Sequence, residues 1–164
     1  MDAHDDWGFT KFSYDAQHGM GSKEYWEVKN KYYLHAQFSR HIRPNTKIVH
    51  ATGSFKHNYV VAAMAPDRLV VVFTRFFGPE EMTLDLSLFD SLKITWGNAT
   101  SWVTEGTDFA GRKKYEKSAG GVTIAGGFLE TTLLMSSVKT VEIEMKTIPI
   151  QRINGKIGEM GELE

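Results

Sequence analysis

Between Thr46 and Lys146 the chain is a succession of short β-favouring runs broken by turn residues. Thr46 to His50 is the first. Tyr59 to Ala65 and Leu69 to Phe76 follow, separated by Pro66-Asp67, which reads as a hairpin. Val70 to Phe73 is apolar on both faces, so this strand is expected at the centre of a sheet. Met82, Leu84 and Leu86 alternate with Thr83 and Asp85, the pattern of a half-buried strand. Leu92, Ile94 and Trp96 alternate in the same way, and Trp102-Val103 suggests a further short strand. Lys113 to Lys117 reads as a strand edged with lysines, which discourage edge pairing. Val122 and Ile124, Thr132 to Met135, and Val138 to Lys146 complete the set. About eight or nine strands at roughly eight- to twelve-residue spacing are what a sandwich or barrel requires.

Before these strands lies a different texture. Ser22 to Pro44 reads as one helix of about five to six turns. Ser22 can cap it, Glu24 suits its first turn, and Arg40, His41 and Arg43 suit its last. Pro44 closes it. Tyr25, Val28, Tyr32 and Ala36 form one apolar stripe, and Leu34, Phe38 and Ile42 form a second row on another face. A surface helix needs one such stripe, so this helix is expected to be covered from two sides. The predicted fold is therefore all-β: a β-sandwich of about 8–9 antiparallel strands with one long N-terminal α-helix packed on it.

The helix carries a resemblance. Asn30-Lys-Tyr-Tyr-Leu-His-Ala-Gln-Phe-Ser-Arg-His-Ile-Arg-Pro44 resembles the last barrel helix of glycoside hydrolase family 30. Asn45 stands where that family usually has glycine. The Ser-Arg-His-Ile-Arg-Pro form is closest in flavour to the endo-β-1,6-galactanase-like branch. Leu133 to Val141 is similar to the end of the family's C-terminal β-sandwich, and the likeness covers about Trp7 to Thr147. It implies three regions: 1–45, a strand-like lead and the barrel helix; 46–150, the sandwich; and 151–164, a polar tail ending in a Leu163-Glu164 that looks vector-derived. It also implies a secreted or extracellular parent enzyme acting on plant or fungal polysaccharide. Both catalytic glutamates of the family would lie upstream of Met1, so the resemblance carries over no catalytic residue. With the barrel missing, the helix face bearing Tyr25, Trp26, Tyr33 and Phe38 would be exposed. That predicts a homo-oligomer through this face.

The chain's own chemistry is sparse. There are no cysteines, which excludes a disulfide framework and a thiolate zinc site. The net charge of -1 gives no electrostatic case for nucleic acid. No apolar run suffices to cross a membrane, and the acidic start is unlike a signal peptide. The six histidines show no metal-binding spacing, and no cofactor fingerprint is present. Asn98-Ala-Thr100 is a glycosylation sequon. Glu142 and Glu144, two apart on one strand face, would stand ~6.5–7 Å apart, within reach of an inverting glycosidase pair. A solvated strand face explains them more simply.

The remaining signal is aromatic. Flat side chains stack on the apolar faces of sugar rings. Trp96, Trp102, Phe109 and Tyr115, all close to the loop from Gly97 to Arg112, are the carbohydrate-binding candidates. For Trp96, alternation with Ile94 equally fits a core position. The leading expectation is a non-catalytic carbohydrate-binding or accessory sandwich. The alternatives are a structural brace for a missing barrel and a glycoside hydrolase in its own right.

Overall fold

The computed structural model describes residues 9–12, 26–52, 58–106, 113–118 and 120–147, as backbone only at 10–12, 26, 27 and 147. Two antiparallel sheets face each other. The larger has six strands: β3 (Lys47–Val49), β4 (Asn58–Met64), β5 (Arg68–Arg75), β7 (Ile94–Glu105), β8 (Glu116–Ser118) and β11 (Ser137–Thr147). Their spatial order is β3-β4-β5-β11-β7-β8. The smaller holds β6 (Glu80–Asp85), β9 (Val122–Ala125) and β10 (Phe128–Leu133), in the order β6-β10-β9. A separate ribbon pairs β1 (Thr10–Phe12) with β2 (Trp26–Val28).

The core lies between the two main sheets. Leu69, Val71 and Phe73 of β5 and Val141 and Ile143 of β11 meet Leu86, Leu129 and Leu133, all nearly inaccessible. The alternation that placed these residues in the sequence follows from the period of two along a strand. β5 is central as expected, paired with β4 on one side and β11 on the other. Its Val70 and Val72 are also fully buried, because the opposite face of the large sheet is covered too. Lys139 of β11 faces the core and is 4% exposed. Its Nζ donates to the carbonyl oxygens of Gly121 (3.0 Å) and Thr132 (3.2 Å), so it ties the large sheet to the small one. Burial lowers its pKa, because charge is costly there.

The long helix is corrected. The helix α1 spans Asn30–Ser39, ten residues, and Trp26–Val28 is a strand. Aromatic and β-branched residues favour the extended state, and here they find a partner in Thr10–Phe12. Lys29 continues the ribbon by donating its N–H to Phe9 O, at ψ 153°, so the helix cannot begin earlier. The proposed cap Ser22 lies outside the described residues. At the other end Arg40 caps the helix, and a turn closed by Thr46 N–H to Arg43 O follows. Asn45 in that turn has φ 76°, a left-handed conformation that suits glycine and, next best, asparagine.

The buried side of α1 is not an apolar stripe. It is Asn30, Ala36 and Gln37. Asn30 Nδ2 donates to Glu105 O, and Gln37 Nε2 donates to Thr104 Oγ1 at 2.8 Å. Thr140 Oγ1 donates to Gln37 O at 3.0 Å. The helix therefore docks on β7 and β11 through a polar seam.

Three strand readings also shift. Leu92 belongs to a short 3-10 helix, Ser87–Leu92, that ends at Lys93 with φ 52°. Trp96 and Trp102 share one twelve-residue strand, β7. Gly97 allows this: a Cβ there would stand 2.9 Å from Glu144 Cβ, beside an irregularity in the register between Ile143 and Met145. The strand expected at Thr132 to Met135 runs earlier, over Phe128–Leu133.

Candidate functional site

The polar seam under α1 ends in a cluster built around His41. This residue follows the helix cap Arg40 and is 4% exposed. Its Nδ1 lies 2.8 Å from Glu142 Oε1, and its Nε2 lies 2.8 Å from the Tyr115 hydroxyl. The Trp102 ring packs against the imidazole, with centroids 4.5 Å apart. Arg68 Nε stands 3.7 Å from the same Glu142 oxygen, and the Arg40 guanidinium lies 4.7 Å from the Tyr115 ring centroid.

Sheet register produces this convergence. Thr140 faces Trp102 and Glu142 faces Thr100 across β11 and β7, so Trp102 and Glu142 project from the helix-covered face. Tyr115 arrives from the segment before β8, with its backbone at φ 58° and its N–H donated to Thr104 Oγ1.

The proton positions follow from electrostatics. The hydrogen bond from His41, and then its charge and that of Arg68, hold the Glu142 carboxyl below the usual range despite partial burial. Glu142 is thus an acceptor at neutral pH, and His41 Nδ1–H is its donor. Burial raises the Tyr115 pKa, with the Glu142 charge adding to it against the opposing effect of Arg40. Tyr115 therefore keeps its proton; its hydroxyl donates to Nε2 of a neutral imidazole and accepts from Nε2–H of an imidazolium. The result is a chain Tyr115–His41–Glu142 joined through both ring nitrogens.

The sequence-derived candidates divide. Trp102 and Tyr115 meet at His41. Trp96 sits on the opposite face of the large sheet, half-buried against the core and edge-on to Phe89 at 5.4 Å. Phe109 lies outside the described residues. Glu142 is engaged by His41. Glu144 is exposed, with Oε2 3.3 Å from Asn98 N–H. Of the interface residues, Tyr25 lies outside the described residues, Trp26 is in β2, and Tyr33 and Phe38 are half-buried on α1. Sequence reasoning missed His41, which pairs with a residue 101 positions away. Its place at a helix end had suggested only a charge for the helix dipole. Among the described residues no three His, Asp or Glu side chains gather as metal ligands, and no helix is long and apolar enough to cross a membrane.

No protein-family model matches the chain, and no curated protein sequence does. Solved structures do. The family 30 subfamily 8 xylanase of Clostridium acetobutylicum superposes with a TM-score of 0.63 at 25% identity, over 78% of this chain. This chain resembles part of a family 30 glycoside hydrolase. A family 30 endoxylanase of Clostridium papyrosolvens C71 matches over 71% of the chain (TM-score 0.58, 18% identity). The catalytic domain of the family 30 xylanase C of Talaromyces cellulolyticus matches over 77% (TM-score 0.57, 21% identity). These last two speak to fold alone. The chain spans 31%, 28% and 26% of the three family 30 structures in turn. A sandwich carrying one helix is consistent with the C-terminal region of that family.

Proposed function

We propose that this chain is a non-catalytic accessory β-sandwich that works beside a glycan-cleaving domain and contacts plant or fungal polysaccharide at the His41 cluster. The observation that carries the reading is the meeting of Trp102 and Tyr115 at one imidazole, with ring centroids 4.5 and 5.7 Å from it, within a fold similar to part of a family 30 xylanase. The two rings offer stacking surface, and Arg40, exposed beside Tyr115, offers hydrogen bonds to sugar hydroxyls. A catalytic role finds less support. Glu142 is held ionised by His41 and Arg68, so it is a poor proton donor. An endo-β-1,6-galactanase-like parent and an extracellular setting belong to the same proposal. The test is affinity electrophoresis against xylan, β-1,6-galactan, β-1,3/1,6-glucan and cellulose. Retardation by one of them, lost in a folded Trp102→Ala variant, supports the reading. No retardation by any of them refutes it.

A second reading is a brace for a neighbouring barrel. It is favoured by an aromatic flank on the ribbon and helix: Phe9, 43% exposed, lies edge-on to Tyr32, 38% exposed, at 6.3 Å. Such a flank buries itself against another surface, and a second copy of the chain is one. Sedimentation of the isolated chain as a dimer that dissociates on Tyr32→Asp supports this use of the flank. A monomer removes the homo-oligomer.

A further inference from the structure

The sandwich is open along one side. There β6 ends the small sheet and β3 ends the large one, and among the described residues each pairs with a single neighbour, β10 and β4 respectively. A cavity of about 580 Å³ lies between them. Its lining includes the unbroken run Glu80 to Leu86, which is all of β6 and the residue after it. Alternate side chains of a strand point to opposite faces, so an unbroken run lines a cavity when the strand turns its backbone edge toward it. Val49, Ala62, Leu69 and Phe89 supply apolar lining, and Ala62 and Leu69 belong to the core.

A free strand edge beside an apolar floor is the arrangement of strand addition. The incoming backbone bonds to the edge, and every second side chain enters the floor. Charge narrows the occupant further. The three strands of the small sheet carry Glu80, Glu81, Asp85 and Glu130 and no lysine, arginine or histidine. Glu80 is matched by Arg75. Glu81 and Asp85 lie on the exposed face of β6, with Asp85 Oδ1 accepting the Ser87 N–H at 2.8 Å and Thr83 between them, and Thr83 lies opposite Glu130 in the register. Residues of an added strand opposite these positions would meet a negative row.

We propose that the free edge of β6 takes up an extended segment of a separate polypeptide, with apolar residues at alternate positions and lysine or arginine between them. The apolar residues sit beside Met82 and Leu84 over the floor. The basic residues pair with Glu81 and Asp85. The competing use of these carboxylates is to keep every strand away, as edge charges commonly do.

The test uses the whole chain and a capped, fluorescein-labelled six-residue peptide of alternating valine and lysine. Controls are the valine–glutamate peptide and a valine–lysine peptide N-methylated on its inner residues, valine and lysine alike, so that the amides facing β6 are blocked whichever way the peptide runs. Binding is read by anisotropy, and its location by hydrogen exchange at amides 80–85. The proposal predicts that the valine–lysine peptide binds and slows exchange in β6. N-methylation weakens it about tenfold, as the loss of one or two backbone hydrogen bonds requires. Glu81→Lys, an exposed substitution, narrows the preference for the lysine over the glutamate peptide, because Asp85 and Glu130 remain. Absence of binding establishes the carboxylates as edge guards and overturns the proposal. So do equal binding of both charged peptides, protection outside β6, or protection of β6 by xylan in place of peptide.

Discussion

His41 joins a helix end, a central strand and an edge segment through two ring nitrogens, and its removal is correspondingly specific in effect. His41→Phe keeps a ring against Trp102 but leaves the Tyr115 hydroxyl without its imidazole partner and Glu142 with Arg68 alone. The expected loss is about 2 kcal/mol of stability, read by urea unfolding, since one of the two bonds is to a charged group. The pH dependence has a defined sign. The Glu142 pKa is depressed in the folded state, so the unfolded chain binds the proton more readily. The stabilisation is complete above the ordinary glutamate value, about 4.3, and is lost as pH falls through that value and on through the folded one. His41→Phe flattens this acid limb, whereas a substitution distant from Glu142 leaves it unchanged. Asn45 supplies a second test. At φ 76° a β-branched side chain collides with its own backbone, so Asn45→Val costs about 1–2 kcal/mol in thermal unfolding, while Asn45→Gly is neutral or stabilising.

At the level of elements, β7 depends on a missing side chain. Gly97→Ala would drive a Cβ to 2.8 Å from Glu144 Oε2 and 2.9 Å from its Cβ, at the point where the β11 register shifts. A cost of about 1–3 kcal/mol is expected, partly recovered by Glu144→Ala in a double-mutant cycle. The same strand shows where sequence was readable and where it was not. Alternation at Met82 to Leu86 and the apolar run of β5 placed both strands correctly, because a period of two and two-sided burial are written in residue type. Gly97 made β7 look like two short strands, since its role rests on Glu144, 47 positions away. The helix was misread more deeply. Val28 had helical spacing with Tyr32 and Ala36, but a partner strand at Thr10–Phe12 took Trp26–Val28 into a ribbon. The buried face of α1 is two amides and one methyl group, met by sheet hydroxyls, which periodicity of large apolar residues cannot reveal. Of the site, Trp102 and Tyr115 were legible as aromatics near one loop. Their meeting at His41 was not, because it follows from the register of β11 against β7.

On the scale of the whole molecule, one large sheet is covered on its two faces by different means. A small sheet seals one face with aliphatic side chains, and a helix closes the other with hydrogen bonds. The hydrogen-bonded face carries the proposed glycan contact, and the open side of the sandwich carries the proposed peptide cleft. Neither requires a catalytic carboxylate. The chain has a fold similar to part of a glycan-cleaving enzyme, and the proposed role is to act without cleaving. The direct test is reducing-sugar release from xylan and β-1,6-galactan by the purified chain, beside Glu142→Gln. No release above the buffer blank is expected from either protein. Release that disappears in Glu142→Gln would contradict it and make Glu142 a catalytic residue.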